Sequence, residues 1–240
     1  FPTRRSSDLS AVTVTGLNVV DTGNYTTFGQ MVIIALIQFG GLGFMTFAIL
    51  VLTSLQGKMG LSGSMTAQEA LGTHGNQIGS TAKSVIKIAF LTEFLGFLGL
   101  TWCLLPLKGL KDAMYEAFFL SISAFNNSGF ALTGDNMTAY VHTPMISFII
   151  SLLIMMGGIG FLVILDVIKH KRWQKFTIHT RVMLLGTLTL NVVGCVLFWL
   201  LERQNSHTLG HLEGAERWFA AWFMAVTART AGFNNIDYSQ

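Results

Sequence analysis

Charge is scarce in this sequence. Only 11% of its 240 residues are Asp, Glu, Lys or Arg, against 51% apolar residues and a mean hydropathy of +0.55, a balance that excludes an ordinary soluble domain. Cysteine is scarcer still. Cys103 and Cys195 lie in separate apolar stretches, which excludes a disulfide framework or a thiolate metal cluster and reads as two inert buried thiols. The histidines (His74, His142, His170, His179, His207 and His211) have no metal-like spacing. No nucleophile, base and orienting group converge within the apolar stretches, so a membrane-embedded enzyme is not the reading. Two glycine clusters, Gly40-Gly41-Leu42-Gly43 and Gly157-Gly158-Ile159-Gly160, complete no GxGxxG pattern and follow no strand, which argues against a nucleotide-binding loop and leaves no organic cofactor to expect in this chain. Nothing points to nucleic acid.

What the chain does have is membrane-length apolar runs. Phe28–Leu55, Val85–Leu107, Thr143–Leu165 and Val182–Leu201 are nearly free of charge and long enough to cross about 30 Å of hydrocarbon, giving four expected spans. Met114–Phe125 and Trp218–Thr227 are apolar but too short to cross, and read as re-entrant half-helices. Lys169, Lys171, Arg172, Lys175 and Arg181 crowd the link between the last two spans, which places that link, and the Gln56–Ser84 link with Lys58 and Lys83, on the cytoplasmic side. Residues 1–9 are polar, basic and unlike the rest, with no signal-peptide core; they read as a non-native segment, and the chain as truncated at both ends.

Three short polar hooks centred on glycine interrupt the apolar pattern: Thr13-Val14-Thr15-Gly16-Leu17, Asn127-Ser128-Gly129-Phe130 and Thr230-Ala231-Gly232-Phe233-Asn234. Each is followed five or six residues later by an aspartate, Asp21, Asp135 or Asp237, and the first two are followed by the glycine clusters. Recurrence in fixed order is the mark of an internal repeat. The unit is a helix, a half-helix, a hook, an acidic turn and a returning helix. The expected division is 10–56 for the end of a first unit, 57–84 for a cytoplasmic link, 85–169 for a complete second unit, 170–181 for a basic link, and 182–240 for the start of a third. The fold expected is therefore an all-α membrane protein of helix, pore half-helix and helix units around a pseudo-fourfold pore, incomplete in this chain.

Irregular backbone survives at membrane depth only where it lines a cavity or filter, because unpaired amides and carbonyls cost several kcal/mol in lipid. Hooks that meet on one axis can surround a partly dehydrated cation with carbonyl oxygens without adding a full charge that would trap it. Glycine lets successive carbonyls turn toward that axis, and the half-helices aim the negative ends of their dipoles there. The ion-binding residues expected are Val14, Thr15 and Gly16; Asn127, Ser128 and Gly129; and Thr230, Ala231 and Gly232. Asp21, Asp135 and Asp237 either focus cations at the outer mouth or cap turns. The glycine clusters are read first as close packing and second as relief of bulk beside a filter. Lys87 and Glu93 are ionisable groups inside a span, on different helix faces; Lys87 can snorkel, and Glu93 needs a polar partner that the sequence does not identify. Arg229 either braces its hook through carbonyl hydrogen bonds or meters cations.

Taken together, the runs TVTGL with VVDT, QFGGLGFMTFAIL, ISAFNNSGF, GGIGF and TARTAGFNNID resemble the membrane subunit of bacterial Ktr potassium uptake systems, within the Trk/Ktr/HKT superfamily, from about Ser10 to Gln240. The resemblance implies four units around one permeation path, with Gly16, Gly129 and Gly232 as filter glycines of the first three. It also implies potassium as the transported ion, often with sodium dependence, in the bacterial plasma membrane. A homodimer resting on a cytoplasmic ring of nucleotide-binding regulatory subunits is implied as well. The basic link Lys169–Arg181 would then contact that ring or anionic lipid. The runner-up readings are a Trk-type or sodium-permeable transporter of the same superfamily, and a non-conducting membrane scaffold.

Overall fold

The computed structural model describes residues 10–13, 22–56, 78–134, 136–205 and 207–236, with the side chains of 43–56 and 78–83 left aside. Every regular element among them is helical. Residues 10–13 are helical. Then follow α1 (Thr27–Gln56), α2 (Ile78–Lys108), α3 (Leu110–Phe125), α4 (Pro144–Gly158), α5 (Phe161–His170), α6 (Ile178–Glu202) and α7 (Gly214–Thr230), with 3-10 turns at Thr22–Asn24, Thr138–Tyr140 and Trp173–Lys175.

The apolar runs account for the long helices, since only an intrasegment hydrogen-bond ladder satisfies the backbone in lipid. Ser84–Lys108 and Ile178–Glu202 are each long and apolar enough to cross, and Thr27–Leu42 is a shorter apolar helix within α1. α2 begins at Ile78, inside the stretch read as a link up to residue 84. The short elements behave differently. α3 has 16 residues and α7 has 17, so each rises only about 25 Å and cannot cross.

The run Thr143–Leu165 departs from the expected single span. It breaks between α4 and α5 with a bend of 94°, at Ile159 and at Gly160, whose φ is +95°. Apolar composition is continuous through the break, so nothing in hydropathy marks it.

Small residues set how closely the half-helices pack. Ala113, Ala117 and Ala124 of α3 and Ala220, Ala221 and Ala225 of α7 are buried in one core with Leu100, Leu104, Ile146, Ile150, Phe223 and Phe233. Their short side chains let α2, α4 and α6 approach the half-helix backbones. A second core, with Ala11, Ile33, Ile37, Phe119, Ile122 and Phe130, joins α1 to α3 and to residues 10–13. Outward-facing Leu185, Leu188, Leu190 and Val193 of α6 are exposed, as a lipid-facing surface requires.

Two polar corners fix the helix ends. At one, Lys108 Nζ lies 2.6 Å from the buried Glu116 carboxylate, which also accepts from the Tyr140 hydroxyl. Burial first, and then that carboxylate, push the Tyr140 phenol well above its usual range. At the other, Asp166 of α5 accepts from the Thr177 amide at 2.9 Å and the Thr177 hydroxyl at 3.0 Å, and Thr177 in turn caps α6 by accepting from Thr180 N at 3.3 Å.

Candidate functional site

The second hook is built at the C-terminus of α3. Asn126 closes the helix by donating its N–H to Ile122 O at 3.1 Å, and the chain then turns through Asn127 at φ +56° and Gly129 at φ +72°. Ser128 N donates to Ser123 O at 2.9 Å, folding the hook back on the helix. The Ser123 hydroxyl donates to Phe130 O at 2.7 Å and lies 2.8 Å from the Ser128 hydroxyl. Phe130 is wholly buried and anchors the far side.

The third hook repeats this construction at the end of α7. Ala231 N donates to Thr227 O at 3.0 Å, and Gly232 turns the chain at φ +70°. The Thr227 hydroxyl donates to Phe233 O at 2.8 Å and accepts from Phe233 N at 2.9 Å. In both hooks a half-helix hydroxyl occupies the carbonyl of the buried phenylalanine after the glycine. Sequence reasoning missed Ser123 and Thr227. The signal was a hydroxyl residue six or seven positions before each of those phenylalanines.

With the phenylalanine carbonyls tied down, the carbonyls before them stay free. Among the described residues, no hydrogen bond reaches the oxygens of Asn127, Ser128, Thr230, Ala231 or Gly232, while Gly129 O accepts only from Asn136 Nδ2 at 3.4 Å. The side chain of Ser128 is used within the hook.

The two hooks meet backbone to backbone. A Cβ at Gly129 would run into Ala231 O and lie 3.0 Å from the carbonyl carbon and 3.1 Å from the Cα of Gly232. Beyond them, Met137 N donates to Asn234 O at 2.9 Å and Asn234 N to Asn136 Oδ1 at 3.3 Å, so the loop after the second hook clips onto the segment leaving the third.

The glycine clusters sit directly behind these hooks. A Cβ at Gly157 would run into Phe125 O, and one at Gly40 into Val12 O; Phe125 and Val12 stand four residues before Gly129 and Gly16. The first glycine of each cluster therefore lets the returning helix lie on the end of its own half-helix. The second reaches the next hook. A Cβ at Gly41 would overlap the Asn126 side chain, while one at Gly158 would lie between hooks, 3.3 Å from the Asn127 side-chain amide of its own and 3.7 Å from Thr230 Oγ1 and 4.0 Å from Arg229 Nη2 of the next. Close packing and relief of bulk beside the hooks are thus one contact.

Asn127 ties the hook to the end of α4. With its amide oriented to suit its neighbours, Nδ2 donates to Ile154 O at 3.1 Å and Oδ1 accepts from Gly158 N at 3.2 Å. The α4 ladder runs on to its cap, where Ile159 N donates to Met155 O at 3.0 Å, and the chain turns away at Gly160.

Glu93 finds the partners the sequence withheld. Gln38 Nε2 donates to both of its oxygens, at 3.0 and 3.1 Å, and Asn126 Nδ2 donates to one at 3.3 Å. Arg229 is half-buried near Gly158 and makes no hydrogen bond or ion pair to the described residues. Val14, Thr15, Gly16, Asp21, Asp135 and Asp237 lie outside the described residues.

Residues 4–240 match the family described as TrkH, cation transport protein. The chain is 47% identical over 236 residues to the Ktr system potassium uptake protein B of Bacillus subtilis, covering 95% of this chain and 52% of that protein. It is 43% identical over 237 residues to the protein of the same name in Vibrio alginolyticus, covering 96% and 52%. It is 35% identical over 235 residues to the potassium/sodium uptake protein NtpJ of Enterococcus hirae, covering 96% and 51%. The chain thus spans about half the length of these relatives. Its fold is similar to the crystal structure of the potassium transporter TrkH from Vibrio parahaemolyticus, with a TM-score of 0.65 at 18% identity over 95% of this chain and 44% of that one.

Proposed function

The chain belongs to the TrkH family of cation transport proteins, and on that premise we propose that it supplies three of the hooks of a potassium-selective pore in a multi-pass membrane protein. The observation that carries the reading is the meeting of Gly129 and Gly232, both at positive φ, beside a row of unbonded carbonyl oxygens. At membrane depth a free main-chain carbonyl needs a partner. A potassium ion shedding water is such a partner, and neutral carbonyl dipoles hold it without trapping it. α3 and α7 end at the hooks, so their negative dipole ends favour a cation there.

On this reading the filter comprises Val14, Thr15 and Gly16; Asn127, Ser128 and Gly129; and Thr230, Ala231 and Gly232, with Asp21, Asp135 and Asp237 at the outer mouth. The matching contacts of Gly40 with Val12 and of Gly157 with Phe125 support successive units rotated about one axis. A fourth unit would complete the ring. The hooks open outward, and the basic link Lys169–Arg181 faces the cytoplasm. Assembly as a homodimer on a cytoplasmic nucleotide-binding ring accords with the relatives' designation as parts of a Ktr system. No catalytic chemistry is assigned.

The relative described as a potassium/sodium uptake protein favours one second reading, a pore that also passes sodium. Rubidium uptake by the full-length protein in a potassium-transport-deficient host separates the two. Potassium should compete at far lower concentration than sodium. Equal competition selects the sodium-permeable reading, and absence of any uptake from correctly inserted protein selects a scaffold.

A further inference from the structure

Three elements converge on one buried carboxylate: α1 through Gln38, α2 through Glu93, and the second hook through Asn126. Glu93 is only 4% exposed, and among the described residues no Lys or Arg pairs with it. A carboxylate in such a place is stable only if its lone pairs are occupied by well-placed donors. Gln38 Nε2 grips both oxygens, Asn126 Nδ2 reaches one of them, and Gln38 Oε1 accepts from the same Asn126 nitrogen at 3.1 Å. The network closes on itself. Asn126 is also bonded to Ile122 O at 2.9 Å, so its amide is fixed against the last turn of α3.

The next seam between units is built differently. Met155 stands two residues before Gly157 as Gln38 stands before Gly40, and Arg229 stands three before Gly232 as Asn126 stands before Gly129. There Asn191 Nδ2 lies 3.2 Å from Met155 Sδ, Asn191 Oδ1 is buried without a partner, and no carboxylate is present in the contact. The acid clamp belongs to the second hook.

We propose that Glu93 is a positioning residue for the second hook. By holding Asn126 against Gln38 of the preceding unit, it fixes the start of the turn, and hence the direction of the Asn127, Ser128 and Gly129 carbonyls. Asn127 follows immediately and is locked into α4, so the hook is held from both sides. The inference rests on the proposed filter reading and adds to it a residue that sets ion preference without touching the ion.

The test is potassium-over-sodium discrimination by the full-length protein, measured by competed rubidium uptake at matched membrane abundance, for Glu93→Gln, for the double variant Gln38→Glu with Glu93→Gln, and for Gly129→Ser. Glu93→Gln removes one acceptor while keeping shape, and should lower discrimination about tenfold, the factor that follows from losing one charge-assisted hydrogen bond. The double variant returns a carboxylate to the same network from the other side and should recover most of the discrimination. Unchanged discrimination in Glu93→Gln overturns the proposal. So does a double variant no better than the single one, and so does a loss of membrane abundance in Glu93→Gln with normal discrimination per molecule. If Gly129→Ser alters discrimination while Glu93→Gln does not, only the positioning role falls; if neither does, the filter reading falls with it.

Discussion

Gly129→Ser in the full-length protein is expected to lower potassium-over-sodium discrimination by about tenfold or more, with membrane abundance retained. Two costs add at this position. A side chain held at φ +72° sits in the left-handed region, which costs about 1–2 kcal/mol for a residue with a Cβ. The Cβ would also run into Ala231 O and lie within 3.0 Å of the Gly232 carbonyl carbon, and neither is a flexible side-chain end that can swing away. The clash is relieved when the second and third hooks move apart. That motion enlarges and skews the ring of free carbonyls, and a ring that no longer replaces potassium's water shell better than sodium's loses its preference. Wild-type discrimination in this variant would count directly against the filter assignment.

Gly157→Ala is expected to destabilise the fold by about 1–3 kcal/mol, the range for forcing volume into a packed contact, and to reduce uptake in parallel. Its Cβ would run into Phe125 O, at the end of the half-helix that carries the second hook. The displaced group is backbone, so α4 and α3 must separate, and the bonds of Asn127 to Ile154 and Gly158 loosen with them. Gly186→Ala is the matched control. A Cβ there meets nothing within 4 Å, so the change should fall within about 0.5 kcal/mol of the wild type. Thermal melting of the detergent-purified full-length protein distinguishes the pair: Tm should fall for Gly157→Ala and hold for Gly186→Ala. Equal Tm values would mean that the glycine cluster is not a packing contact at all.

What could be read in advance follows from what each signal depends on. The long helices were legible because crossing lipid demands an unbroken apolar run, a local property of Ser84–Lys108 and Ile178–Glu202. The half-helices were legible from their shortness, and the hooks from glycine among polar residues. The break near Gly160 was not, because apolar composition runs unbroken through it and the turn shows only in the backbone, where Gly160 takes a φ of +95°. Nor was the Glu93 clamp, whose Gln38 partner lies 55 residues away in sequence. The Arg229 guanidinium lies toward Gly158, where the small residue leaves room for it. Ser123 and Thr227 were hidden in another way: in apolar half-helices a small hydroxyl residue reads as filler until the phenylalanine carbonyl it serves is located.

The most direct test of the central claim is to locate a heavy potassium substitute, rubidium or thallium, by its anomalous scattering in crystals of the full-length protein. The ion is predicted on an axis ringed by main-chain oxygens of the Gly16, Gly129 and Gly232 hooks, with Gly129 and Gly232 in contact side by side around it. An ion held elsewhere, with those glycines apart or turned toward lipid, would contradict the account.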